Sequence, residues 1–174
     1  MPGLAYLAAS LGDHTGVDCF PGDHDMEWTD GDGTTALMIS VMNNDIQMAH
    51  TLLGKNANIH ALDQRKRTVL SMARTVPMAR LLLDFGANVN AYVYDNLTEI
   101  MAAQTPQIVA LLVHRGANVH MRSKRERKTA LSHTLLVHKS KRLARIMIAH
   151  GADVNATDDY GWSARKSLIE LGFI

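Results

Sequence analysis

The sequence predicts an all-α fold, a solenoid of stacked helix-turn-helix units with projecting β-turn loops, and three recurrences carry the prediction. The first is a loop: GANVN at Gly86–Asn90 returns as GANVH at Gly116–His120 and GADVN at Gly151–Asn155, with a weaker copy, NANIH, at Asn56–His60. The second lies upstream of each copy: Thr35-Ala36-Leu37, Thr68-Val69-Leu70, Thr98-Glu99-Ile100 and Thr129-Ala130-Leu131. The third is an apolar pair between them, at Leu52-Leu53, Leu82-Leu83, Leu112-Val113 and Met147-Ile148. The loop alanines Ala57, Ala87, Ala117 and Ala152 stand 30, 30 and 35 residues apart, the period of a two-helix repeat. A single packed core has no reason to repeat a loop, whereas a stack of like units does.

Taken in order, residues 3 to 29 read as a degenerate capping unit. Leu7-Ala8-Ala9 followed by Gly12-Asp13 is its first helix, and His24-Asp25-Met26-Glu27 fills the loop slot. The second helix between them carries Gly16 and Pro21 and is expected to be short or distorted. Four full units follow at 30 to 62, 63 to 91, 92 to 123 and 124 to 157. In each the leading Thr can cap the first helix through its hydroxyl. Ser40, Ala73 and Ala103, six positions into the pattern, are small enough for close packing, with Thr134 a tighter fit. Gly86, Gly116 and Gly151 fall where the backbone must turn left-handed after the second helix, and Asn56 is the best non-glycine substitute there. Residues 158 to 174 repeat only the first half of the pattern, with a helix expected from Ser163 to Leu171. The chain stops where the matching second helix should begin, so a piece of a longer array is expected.

These residues resemble the ankyrin repeat, whose pattern runs roughly D-x-x-G-x-T-P-L-H-x-A, then a second helix with L-L, then G-A-D-V-N. In that pattern 22 steps separate the leading Thr from the loop Ala. The unit at Thr35 keeps them, but Thr68 to Ala87 and Thr98 to Ala117 each have 19. The three missing residues fall at the helix junction and remove about one turn. Pro77 and Pro106 then stand where the second helix begins, Thr105 supplying an N-cap before a proline at the first helical position. Two trimmed units should notch the inner surface.

The resemblance implies reversible protein binding, as scaffold, adaptor or inhibitor, through loop tips and the exposed side of the first helix. Position by position this falls on Asp32, Thr34 and Met42, then Arg65 and Arg67, Tyr92 and Tyr94, Arg125 and Lys128, and Tyr160 and Trp162. The Tyr and Trp residues are the expected hot spots. An ankyrin-type inhibitor of a cyclin-dependent kinase is an alternative, since such a protein has similar length and one shortened first helix; two shortened units depart from it. A targeting module of a larger multidomain protein or enzyme is a second.

Composition fits a soluble, cytoplasmic or nuclear protein, and a monomer is expected. Apolar residues make up 47% and charged residues 20% of 174 residues, enough for a continuous one-dimensional core. Of ten methionines, Met38, Met48, Met72 and Met147 fall on helix positions as gap fillers. The lone Cys19 rules out an internal disulfide and gives no zinc set, and no apolar run is long enough to cross a membrane. Charge divides along the chain: residues 1 to 62 hold eight acids and one base, residues 63 to 174 nine acids and seventeen bases. The runs Arg65-Lys66-Arg67 and Lys124–Lys128 could act in nuclear import. They lack the interleaved aromatics of single-strand binders, and the acidic stretch with Asp23, Asp25, Glu27, Asp30 and Asp32 opposes a phosphate backbone, so direct nucleic-acid binding is not expected. An enzyme is not expected either. His133 and His138 stand five apart, off the i, i+4 spacing of a zinc helix; there is no phosphate loop or dinucleotide fingerprint, and no cofactor is implied.

Overall fold

The computed structural model describes residues 3–15, 26–103 and 105–174. Its helices are α1 (Leu4–Leu11), α2 (Ala36–Met42), α3 (Ile46–Gly54), α4 (Val69–Met72), α5 (Val76–Asp84), α6 (Glu99–Ala102), α7 (Pro106–His114), α8 (Ala130–His138), α9 (Lys141–Ala149) and α10 (Ala164–Glu170), with a 3₁₀ turn at Tyr94–Asn96. Isolated bridges such as Thr29 with Thr35 and Tyr92 with Thr98 are the only β pairing among the described residues. None of the described helices is long and apolar enough to cross a membrane. The expected second helix of the capping unit, with Gly16 and Pro21, lies outside the described residues, as do His24 and Asp25.

The chain divides into two compact units, Met1–Asn88 and Val89–Ile174. In the first, α1, α2 and α4 stack as one layer, and α3 and α5 as a second behind it. In the other, α6, α8 and α10 form one layer and α7 and α9 the second. Leu37, Met38, Met48, Leu52, Met78 and Leu82 fill the first core, and Ile100, Met101, Leu112, Leu131, Leu135 and Leu143 the other, all less than 2% exposed. Met38, Met48, Met72 and Met147 are buried packing residues, as their flexible side chains suit the seams between units.

In the four full units the helix starts follow the expected chemistry with one exception, while Ser163 before α10 makes no side-chain cap bond. The hydroxyls of Thr35, Thr68 and Thr129 accept from the backbone N–H of Met38 (3.2 Å), Ser71 (3.0 Å) and Ser132 (3.1 Å). Such a cap stabilises by about 1 kcal/mol. Thr98 departs: the Met101 N–H donates instead to the Thr98 carbonyl at 2.9 Å, and the buried hydroxyl has no partner. The second helices start on Asp45, Thr75, Thr105 and Ser140, whose side chains accept from Met48, Met78, Ile108 and Leu143. Pro106 opens α7 and Pro77 is the second residue of α5, where a missing N–H costs nothing.

The trimmed units have four-residue first helices, α4 and α6, against seven in α2 and nine in α8. Ser40 and Thr134 lie inside their helices and are buried. Ala73 and Ala103 do not sit inside a helix as expected. Each is a C-cap with extended backbone (ψ 122° and 123°), because the next helix starts three residues later and the chain must already be turning.

The repeated loop has one cause. The N–H of Ala57, Ala87, Ala117 and Ala152 donates to the carbonyl of Leu52, Leu82, Leu112 and Met147 at 2.9–3.0 Å. This is the six-to-one closure of a helix end, and it needs a left-handed residue just before the alanine. Gly86, Gly116 and Gly151 supply it at φ 88–91°, and Asn56 at 64°. The first member of each apolar pair thus anchors the loop through its carbonyl and the core through its side chain.

Candidate protein-docking site

Between the loop copies and the first helices lie hairpins, and their opening residue sets their shape. The N–H of Asp30, Asp63, Val93 and Asp158 donates to the carbonyl four residues on, and that of Ser123, in a hairpin one residue longer, to the carbonyl five on. Asp30 Oδ1 accepts from the N–H of Asp32 (2.9 Å) and Thr34 (2.8 Å), Asp63 Oδ1 from Arg67 (2.7 Å), and Asp158 Oδ1 from Tyr160 (3.0 Å) and Trp162 (2.8 Å). Ser123 Oγ does the same for Lys128. Each hairpin also needs one left-handed residue: Gly33, Lys66, Asn96, Arg127 and Gly161. Neighbouring hairpins are joined by single backbone bonds, Gln64 N–H to Asp32 O in the first unit, Lys124 to Asn96 and Asp159 to Glu126 in the other. The tips are therefore held by a ladder, not left as loose loops.

Where a long first helix lies beside a trimmed one, its last turn loses its cover. In the first unit α2 outruns α4, Met42 is 37% exposed, and a hollow of about 270 Å³ opens under the hairpins. All five residues expected here, Asp32, Thr34, Met42, Arg65 and Arg67, line it. Tyr6, Asp30, Ile39 and Asp63 complete it, none of them expected as site residues. In the other unit α8 outruns α6, and Leu136 and Val137 are 39% and 59% exposed. They floor a hollow of about 140 Å³ with Leu97 and His133, and Arg125 and Lys128 stand at its edge.

Individual expectations divide. Asp32, Arg65, Arg125 and Tyr160 are exposed tips. Thr34 is buried, since its N–H is drawn in to Asp30, so its side chain offers little surface. Arg67 is not a free tip: its Nε lies 2.6 Å from Oδ2 of Asp63, whose side chain is 1% exposed. Lys128 Nζ pairs with Glu126 Oε2 at 2.5 Å. Trp162 Nε1 donates to Ser167 Oγ, which holds the ring against α10. Tyr94 is half-buried in the 3₁₀ turn, and Tyr92 lines a separate hollow. Leu136 and Val137 escaped sequence reading because Leu135-Leu136-Val137 reads as core; only the shortness of α6 uncovers them.

Tyr6 and Asp30 are coupled. The Tyr6 hydroxyl donates to Asp30 Oδ2 at 2.8 Å. Burial, then the Asp30 carboxylate, pushes the phenol above its usual value. Burial works against the charged Asp30 carboxyl, but hydrogen bonds from Thr34, Tyr6 and Asp32 outweigh it and hold the group below the ordinary carboxylate value.

The hairpin ladder, the glycine closures and the two-layer stack all repeat on one register, and a family model of ankyrin repeats in three copies matches residues 5–93. The chain belongs to the ankyrin repeat family. Among solved structures it is similar to the ankyrin repeat domain of Bcl-3, described as a unique member of the IkappaB protein family. The two share 26% identity with a TM-score of 0.87, over 99% of this chain and 81% of that one. No curated protein sequence matches the chain. Ankyrin repeats are protein–protein interaction modules, typically non-catalytic, and the two hollows lie where hairpins and first helices meet.

Proposed function

We propose that this ankyrin array is a non-catalytic docking module, acting as scaffold, adaptor or inhibitor, that seats apolar side chains of a protein partner at the steps between long and trimmed first helices. The observation that carries this is the pairing, in each unit, of an uncovered apolar last turn (Met42; Leu136 and Val137) with charged hairpin residues above it. Apolar anchors supply affinity by leaving water, and the charged rim supplies orientation. Tyr160, 77% exposed, adds a further anchor.

The test compares proteins captured from cells by the natural chain and by Met42→Ser/Leu136→Ser/Val137→Ser. A partner held at the steps is lost from the variant while the melting temperature is kept. Equal capture by both would overturn the reading. Inhibition of a cyclin-dependent kinase at micromolar chain would narrow the role to inhibitor. We assign the module to the cytoplasm or nucleus as a monomer, which imaging of a tagged chain and sedimentation would check; the basic hairpin runs support nuclear entry.

A further inference from the structure

The second unit contains a hollow of about 440 Å³ lined by Tyr92, His120, Arg122, Ser123, Lys124 and Arg127. Three of these are full cations, and none of the described lining residues is an acid. Two other hairpin cations have a carboxylate beside them, Asp63 for Arg67 and Glu126 for Lys128. Among the described side chains, no carboxylate pairs with the three here. The Lys124 ammonium lies 4.2 Å from the centre of the Tyr92 ring. Arg122 Nη1 donates to the carbonyls of Arg127 (3.1 Å) and Thr157 (2.6 Å), which orient the guanidinium without cancelling its charge. Arg127 occupies the left-handed position of its hairpin at φ 51°, where Gly33, Lys66, Asn96 and Gly161 stand in the other hairpins. A side chain there costs about 1 kcal/mol, so the local backbone alone does not favour an arginine.

Cations gathered in one hollow raise the potential of a concave surface, and an incoming anion relieves it. The hollow has room for several carboxylates. It is poorly suited to stacked bases, since its one aromatic ring is covered by Lys124 and its hydroxyl is tied to the Arg122 carbonyl. We propose that this hollow binds an acidic peptide segment, a run of Asp or Glu side chains, with Arg122 as the fixed anchor and Lys124 and Arg127 as the rim. The proposal gives a chemistry to one part of the partner in the docking reading, and its test needs no partner.

Fluorescence anisotropy with a labelled peptide of eight glutamates reads the binding directly. The peptide should bind at low salt and weaken steeply with added salt. Lys124→Gln/Arg127→Gln, two exposed changes that leave the Arg122 anchor intact, should weaken it roughly tenfold. Arg145→Gln, an exposed change on α9 outside the hollow, and Leu136→Ser/Val137→Ser should leave it unchanged. No binding at low salt, an equal loss with Arg145→Gln, or tighter binding of an eight-nucleotide single-stranded RNA would each overturn the proposal. Loss of a cellular partner on changing Met42, Leu136 and Val137, with peptide binding kept, would separate the two surfaces.

Discussion

Gly33 is held by two demands at once. Its φ is 75°, and a Cβ there would come within 3.1 Å of the Gln64 nitrogen, whose N–H completes the bond to Asp32. Gly161 meets only the first demand, with nothing within 4 Å of its Cβ position. Gly161→Ala should therefore cost about 1 kcal/mol, and Gly33→Ala clearly more. Equal losses in thermal melts would show that the hairpins do not need this close approach. Arg67 and Arg65, two residues apart, should behave differently. Arg67→Ser leaves the buried Asp63 carboxylate with a backbone donor alone and should cost on the order of 1–3 kcal/mol, whereas Arg65→Ser should stay within about 0.5 kcal/mol. A tie in urea unfolding would remove the distinction. Asp30 and Tyr6 bracket stability in pH. The lowered Asp30 carboxyl contributes stability that is present above its unfolded value, near pH 4, and lost as pH falls through the folded one. The raised Tyr6 phenol contributes below about pH 10 and loses that contribution as pH rises through its folded value. Asp30→Asn should flatten the acid limb of a pH–melting curve, and an unchanged limb would place the loss elsewhere.

Helix length is what separates this array from a uniform one. Three residues inserted between Ala73 and Thr75, and again between Ala103 and Thr105, should extend α4 and α6 by about a turn each. That would cover Met42, Leu136 and Val137. The fold should survive, because the caps on Thr75 and Thr105 move with their helices, but partner binding at the steps should fall. Undiminished binding would mean that the trimming has no bearing on docking. The spacing of the leading threonines to the loop alanines already shows the missing turn. What it hides is the consequence for the neighbouring helix, since exposure of Leu136 depends on how far α6 reaches and not on the local sequence of α8. The same logic applies to α10, which packs on α8 and leaves Ile169 57% exposed. Amide exchange should be faster at Leu168 than at Leu112 in α7, because fewer contacts must break to open it. Equal protection would show that α10 is held as firmly as the interior helices.

At the scale of the molecule, charge and repetition act together. Met1–Asn88 holds ten acids and six bases, and Val89–Ile174 seven acids and twelve bases. Association with an acidic partner should slow as salt rises, and Arg65→Ser with Arg125→Ser should slow it at low salt while leaving dissociation nearly unchanged. A change confined to the dissociation rate would assign those charges to direct contact. The sequence by itself determined the repeat, its period, the capped helix starts, the glycine closures and the two trimmed units. These are local facts: a cap, a left-handed turn or a missing helical turn is written in residues a few positions apart. Asp30, Asp63 and Asp158 were legible in the same way, as acids five residues before each leading Thr or Ser, although as charges they looked like surface. The tertiary structure alone decided that Arg67 is bound to Asp63, that Thr34 is buried, that Thr98 fails to cap, and that Arg122, Lys124 and Arg127 share a hollow with Tyr92. The first two are settled by how one hairpin closes on its opening Asp, and the shared hollow by which repeat is brought alongside. Distances between stacked repeats are set by packing across some thirty residues of chain, and no local pattern encodes them.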